Sequence, residues 1–359
     1  MKNDFATQTT YKRNKLKVAV TLFMFGLIIA AVFMMLYFYQ QVRVIDNYLE
    51  ADQDFKWHFA MISDAPRIGR WQEIFQGGAE QGRELDVYVE NWGVHLQQDF
   101  PLDKHLEMAI AAQVDGIILA SGAVDDNVFE LTNRAVEAGI PVVTMITDLP
   151  GSQRNAFISL NDYAIGELFG QQLIEIVETR LQEGVWENLN VTVLIDNAQD
   201  VGVSSLIYRG IFEAIREYAH LMDISSLEVG GSGEFEAEER VRDLFLDAQR
   251  RPDVFITLNA TNTMIARQSL VEYNLVGQVT LMGTSVNDII LEDISLGLIK
   301  STVFIDERNM GAQAIELLNA NVVTGYSSDY RIADVELITL ENLMEFRSAW
   351  NNQEEAENE

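Results

Sequence analysis

The chain has no cysteine, which excludes disulfides, thiolate metal sites and a lipid-modified cysteine anchor. Histidine is nearly as scarce. His58, His95, His105 and His220 stand at no metal-ligand spacing from one another, and each reads as a surface or packed residue. Only five prolines interrupt 359 residues, and 48% of the chain is hydrophobic, the composition of an ordinary globular body. Positive charge is short as well: 25 Lys and Arg face 55 Asp and Glu, a net charge of −30. Five of those cations and a single acid fall in the first 17 residues, which leaves the remainder at −34. Such a surface repels nucleic acid and anionic headgroups, and no basic patch offsets it. Enzyme signatures are missing too. The stretch "GGSGEF" lacks the G-K-[ST] ending of a phosphate loop, and no G-x-S-x-G elbow occurs. Carboxylate pairs are too common in so acidic a chain to single one out. No catalytic residue, metal or cofactor is expected.

What is present begins with one long apolar run. Residues 18–39 carry Thr21 as their only conventional polar side chain, and as a helix these 22 residues would reach about 33 Å, enough to cross a bilayer. The run is too long for a secretory signal and ends in "LYFYQQVRVIDNYLE", with no small-x-small cleavage site. It reads as an uncleaved membrane helix. Lys2, Lys12, Arg13, Lys15 and Lys17 precede it, whereas Arg43 is soon outnumbered by Asp46, Glu50, Asp52 and Asp54. The positive-inside rule then puts residues 1–17 in the cytoplasm and everything after the span outside, in a single-pass protein of the cell membrane. Residues 40–54 place Val42, Ile45 and Leu49 on one stripe of a short helix, which packs either on the domain's own base or on a partner helix. Residues 348–359, which end in "NNQEEAENE", read as an acidic tail.

Between these ends, strand and helix signals alternate. Nine short apolar runs, from "KWHFAMIS" through "GIILAS", "VTVLID" and "DVFITLN" to "STVFID", are separated by segments of helical period. Runs of this kind suit a parallel sheet covered on both faces. Ile165, Leu168, Phe169, Leu173 and Ile176 mark one helix face, with Asn161 or Asp162 placed to cap its start; Met310, Ala314, Leu317 and Leu318 mark another. Sustained alternation over some 280 residues predicts doubly wound α/β architecture, and the length favours two sheets over one.

The stretch "VDGIILASGAVDDNVFELTNRAVEAGIPVVTMIT" resembles the third and fourth strand units of type I periplasmic binding proteins. This is the ribose- and galactose-binding family, whose fold the sugar-sensing domains of lac-type repressors share. "FISLNDYAIGELFGQQLIE" looks like its crossover into the second lobe, "YRGIFEAI" is similar to its R-x-x-G-F-x-x-A helix, and "RPDVFITLNATNTMIARQSL" and "LMGTSVND" resemble two later segments. The resemblance implies two doubly wound parallel-sheet lobes joined by three crossovers, a first lobe of 55–160 plus 306–334 and a second of 161–305 plus 335–347. It also implies a hinged cleft at the strand carboxyl ends, closing over a small polar ligand, usually a sugar. No helix-turn-helix precedes the domain, so a repressor is excluded.

The same resemblance nominates ligand residues. Trp71 stands where the family has an aromatic on the first loop, as a stacking platform or a helix-packing residue, with Arg67 and Arg70 nearby as ligand contacts or surface charges. Asn259 falls on the family's ligand asparagine, a helix cap being the other reading, and Phe235 falls on the second lobe's aromatic or packs in a loop. Departures follow. Ile146 replaces an aspartate, with Asp148 two residues on; Ile207 replaces an arginine, with Arg209 close by; Ser285 replaces an aspartate ahead of Asn287 and Asp288; Ile305 replaces a glutamine beside Asp306. The pentose pocket of the family is therefore not reproduced, and the ligand stays open. Two functions are expected: delivery of a sugar or related metabolite to an ABC permease, or ligand sensing for a membrane histidine kinase or chemoreceptor. A glycan-degrading enzyme has no residue set to support it.

Overall fold

Strands covered by helices on both faces must be apolar on both, and the inner strands here obey that rule. A computed structural model of the chain describes residues 55–64, 69–96, 100–120, 125–196, 201–230 and 234–357. The expected span at 18–39, the stripe Val42, Ile45 and Leu49, and Arg67 lie outside the described residues. No helix among the described residues is long and apolar enough to cross a membrane.

The first half runs β1 (Trp57–Ser63), α1 (Gly69–Glu84), β2 (Val87–Asn91), α2 (Leu102–Ala112), β3 (Gly116–Ala120), α3 (Asp126–Glu137), β4 (Val142–Met145) and β5 (Ala156–Ser159). Next come α4 (Asp162–Gln182), β6 (Leu189–Asp196), α5 (Val201–Ala214), β7 (Met222–Val229), α6 (Glu234–Leu246), β8 (Val254–Thr257), α7 (Ala260–Glu272), β9 (Thr280–Thr284), α8 (Asp288–Ser295) and β10 (Ser301–Ile305). The chain closes with α9 (Glu307–Thr324), β11 (Tyr330–Ile332), β12 (Val335–Thr339) and α10 (Leu343–Glu357).

These strands make two six-stranded sheets, ordered β11-β5-β4-β3-β1-β2 and β12-β10-β9-β8-β6-β7. Pairing among the described strands is parallel, save for β12, which runs antiparallel to β10. Every residue of β3, β4 and β8 is buried. The chain changes sheet between β5 and β6, between β10 and β11, and between β11 and β12. Backbone bonds tie the three passages together: Ala333 N–H donates to the Ser159 carbonyl at 2.8 Å, and Asp306 N–H to the Asp334 carbonyl at 3.2 Å.

Three strands fall outside the nine apolar runs. β7, "MDISSLEV", is an outermost strand with one neighbour and exposes Asp223, Ser225, Ser226 and Glu228, which interrupt any apolar run. β11 and β12 are likewise outermost in their sheets. The expected acidic tail at 348–359 begins inside α10, which stays helical to Glu357. Its hold is aromatic, because Phe346 and Trp350, four residues apart, both meet Phe304 of β10, at ring-centroid distances of 5.1 and 6.0 Å.

Caps set the helix starts. Asn161 accepts from Ala164 N–H to begin α4, and Asp125 accepts from Val128 N–H to begin α3. In each lobe the helix that leaves a crossover lies backbone to backbone on that lobe's first helix. A Cβ at Gly311 of α9 would stand 1.8 Å from the Ile74 carbonyl of α1, and one at Gly166 of α4 would stand 2.1 Å from the Ile207 carbonyl of α5. The first of these contacts fixes where the amino-terminal turns of α1 and α9 meet, and the candidate site forms there.

Candidate functional site

Two of the five non-glycine residues with positive φ among the described residues stand at the carboxyl ends of strands. Ile146, directly after β4, has a φ of 69°, and Ser285, directly after β9, has a φ of 84°. β4 and β9 occupy the same place in their sheets, third in each order, so the two residues are counterparts in the two lobes. A left-handed residue with a Cβ costs about 1–2 kcal/mol, more awkwardly for a β-branched one, and such strain collects at functional rims.

At this rim a crevice of about 230 Å³ draws its walls from both lobes. Arg70 and Glu73 come from the start of α1, Glu307 and Arg308 from the start of α9, Ser285 and Asn287 from the segment after β9, Phe304 from β10 and Trp350 from α10. Asp306, the residue at which the chain passes between sheets, also lines it. Arg70 Nε donates to Glu307 Oε1 at 2.7 Å. Asp306 caps α9 by accepting from Asn309 N–H at 2.9 Å, and Asn287 caps α8 by accepting from Ile290 N–H at 2.9 Å. Burial pushes the Glu307 carboxyl above its ordinary range, while Arg70 opposes the shift. Asp162, at the first crossover, is 8% exposed and has no side-chain hydrogen bond among the described residues. Burial raises its pKa to about 6, again against the pull of Arg70. A larger crevice of about 460 Å³ lies elsewhere, beside Trp57, Asp115 and Pro141 at the amino-terminal ends of the first lobe's strands. Ligands of open α/β sheets sit at the carboxyl ends, so the smaller crevice is the candidate.

Arg70, Ser285 and Asp306, three of the nominated ligand residues, come together in this crevice. The other four do not. Trp71 is 3% exposed, packed in the core, and its indole N–H donates to Asn91 Oδ1 at 3.0 Å, so it is a helix-packing residue with no open face for stacking. Asp148 is held by Arg154, whose Nη2 donates to Oδ2 at 2.8 Å and whose Nε reaches Oδ1. Phe235 is 76% exposed in the first turn of α6 and is not among the crevice walls. Asn259 caps α7, accepting from Asn262 N–H at 2.7 Å. Losing that cap in Asn259→Ala is expected to cost about 1 kcal/mol, read as an earlier urea midpoint with an unchanged slope.

Phe304, Glu307 and Trp350 were not singled out in the sequence, and Asp162 was singled out only as a possible helix cap. Glu307 had a signal, an acid beside the crossover residue Asp306; Trp350 lay hidden in a stretch that reads as tail. Among the described residues, no group of three or more His, Asp or Glu side chains is arranged to hold a metal ion.

With the geometry in hand, the relatives decide the family. A model of the periplasmic binding protein domain matches residues 59–325. The chain belongs to that family. Its members are solute-binding proteins, so this periplasmic binding protein is a binding protein and not an enzyme. Solved structures share the fold. GanP, a glucose-galactose binding protein from Geobacillus stearothermophilus, is 21% identical with a TM-score of 0.66, over 80% of this chain and 98% of its own. An ABC transporter solute-binding protein from Actinobacillus succinogenes, with bound D-allose, is 17% identical with a TM-score of 0.68, over 81% of this chain and 100% of its own. The XylFII–LytSN complex gives 21% identity and a TM-score of 0.63, over 79% of this chain and 98% of the matched chain. No curated protein matches the sequence.

Proposed function

We propose that this periplasmic binding protein is anchored by residues 18–39 with its two lobes outside the cell, and that it holds a sugar or related small polar metabolite between them for an ABC importer. The observation that carries the ligand reading is the crevice itself. Both lobes contribute to it, and it combines an aromatic wall with hydroxyl, amide and carboxylate groups. Sugars use such a mixture, since hydroxyls take directional bonds while ring C–H faces pack on aromatics. The anchor reading rests on the apolar length of 18–39 and the five cations before it. A tether keeps the domain close to a membrane partner and raises its effective concentration there.

A sensing role is the second reading. It is favoured by the absence of a cysteine for lipid attachment and by the stripe Val42, Ile45 and Leu49, which would let a continuous helix pass a lobe movement inward. One fold neighbour was solved as the XylFII–LytSN complex.

Thermal unfolding with D-glucose, D-galactose, D-arabinose and D-allose tests the ligand. At 100 times its dissociation constant, a bound sugar adds about 2.7 kcal/mol of stability and a clear rise in midpoint. No rise with any of these or with related polyols would remove the sugar. The anchor is tested separately: the chain is expected in the carbonate-washed membrane pellet, and recovery from culture fluid without its first forty residues would remove the tether.

A further inference from the structure

We infer that Asp162, Arg70 and Glu307 form a proton-operated latch between the lobes, in which one guanidinium is shared by two carboxylates and a proton on Asp162 holds the lobe arrangement described above. The inference goes beyond the sugar-binding reading and holds whatever the crevice binds. Its three residues meet where the lobes join. Asp162 is the first residue of α4 and Glu307 the first of α9, the two helices that leave crossovers. Ser159, three positions before Asp162, accepts from Ala333 N–H, and Asp306, directly before Glu307, donates its N–H to the Asp334 carbonyl. Any turn of one lobe against the other passes through these backbone ties and carries the first turns of α4 and α9 with it.

The two carboxylates compete for Arg70 from different lobes. α1 and α9 pack on each other, so the bond from Arg70 Nε to Glu307 Oε1 at 2.7 Å stays within the first lobe. α4 packs on α5, so any attraction of Arg70 to Asp162 crosses to the second. Glu73 and Asp306 add negative charge around Glu307. Asp162 is 8% exposed with no side-chain hydrogen bond among the described residues, and Arg70 is the charge that opposes its burial. From α5, Arg209 and Glu213 act on Tyr163 instead, and from β12, Glu336 accepts from Asn342 Nδ2 at 3.5 Å.

Protonated, Asp162 makes no demand on Arg70, which stays with Glu307. Ionised, it is a buried charge whose relief is either the shared guanidinium or water, and both need the lobes to shift. Burial raises its pKa from 3.8 to about 6, so the arrangement described above holds the proton more tightly than one in which Asp162 meets water. That arrangement is favoured at acid pH and loses its advantage as pH rises from about 4 to 6. The gap lets pH change the ratio of the two arrangements by up to about a hundredfold. Arg70 and Glu307 also line the crevice, so the same proton acts on the ligand site.

Energy transfer between donor and acceptor dyes on Glu130→Cys and Glu238→Cys tests the latch in the full chain in detergent, with no ligand added. The two positions are exposed, one in each lobe, and the chain has no cysteine of its own to label. Transfer is expected to change between about pH 4 and 6 and then to level off. Asp162→Asn leaves every other carboxylate in place and is expected to hold the acid-side value throughout. Glu307→Gln frees Arg70 for Asp162 and is expected to shrink the change, whereas Arg70→Gln removes the opposing cation and is expected to enlarge it. A level wild-type curve, or the same curve in wild type and Asp162→Asn, would overturn the latch. Shifts of the same sign in Glu307→Gln and Arg70→Gln would overturn the shared guanidinium. Because no ligand is present, either failure leaves the sugar-binding reading intact.

Discussion

An alanine at Gly311 is expected to lower the thermal midpoint by roughly 3 °C, through the tightest glycine contact among the described residues. Its Cβ would stand 1.8 Å from the Ile74 carbonyl oxygen and 2.8 Å from Gly78 N, and both obstacles are backbone. A flexible side chain could turn aside, but two helix backbones have to separate. Overpacking of this kind costs about 1–3 kcal/mol and occasionally more. Alanine's better helix propensity returns up to about 1 kcal/mol, so the upper end of that range leaves a net loss of about 2 kcal/mol. Separation of α1 from α9 also pulls Arg70 away from Glu307, so the crevice should change shape along with the stability. Calorimetric scans of Gly311→Ala against Gly139→Ala give the comparison. Gly139 meets nothing within 4 Å, so only its φ of 85° resists a side chain there, at about 1 kcal/mol. Equal midpoints for the two variants would mean that α1 and α9 are not in backbone contact.

Neutralising Asp162 should do the opposite and stabilise the protein near neutral pH. Its carboxyl titrates at about 6 in the folded protein against 3.8 for the ordinary group, mainly because burial penalises the charge. The folded state therefore holds the proton more tightly than the unfolded state does. This group's contribution to stability is greatest below about pH 4, falls as pH rises from about 4 to 6, and stays low above that. The shift corresponds to a penalty on the order of 3 kcal/mol at pH 7. Asp162→Asn removes the charge at nearly the same shape, so the difference in unfolding free energy between variant and wild type should grow from near zero at pH 4 to about 3 kcal/mol at pH 7. Urea titrations at half-unit steps would show it. A difference that does not change with pH would mean the carboxylate is well solvated or well paired at the crossover.

Residues in the two lobes differ in how far local sequence could place them. The inner strands were legible because a buried parallel strand must be apolar at every position, and "GIILA" or "VFIT" leaves little else to be. β7 was not, because "MDISSLEV" is half polar and its adjacent Ser225 and Ser226 break both an apolar run and a strict alternation. Asn161 and Asp125 were readable as caps from the helix starts that follow them. Asn259 was readable both as a cap and as a ligand residue, since the same side chain at the same helix start serves either purpose; its bond to Asn262 N–H shows the first. Trp71 could not be assigned locally, because its packing depends on Asn91, twenty residues away on the next strand. Trp350 was passed over for a related reason: its aromatic partner Phe304 sits 46 positions earlier, and a polar run, Asn351 to Glu355, follows it directly.

By itself the sequence determined the alternation of strands and helices, the two-lobed family, the net acidity and the apolar run at 18–39, because each depends on local composition, period or ordered motifs. Only the tertiary structure decided which side chains share a crevice. Arg70, Ser285, Phe304, Glu307 and Trp350 come from four separate segments, and their meeting is set by the glycine-tight contact of α1 with α9 and by three sheet-to-sheet passages that no local pattern encodes.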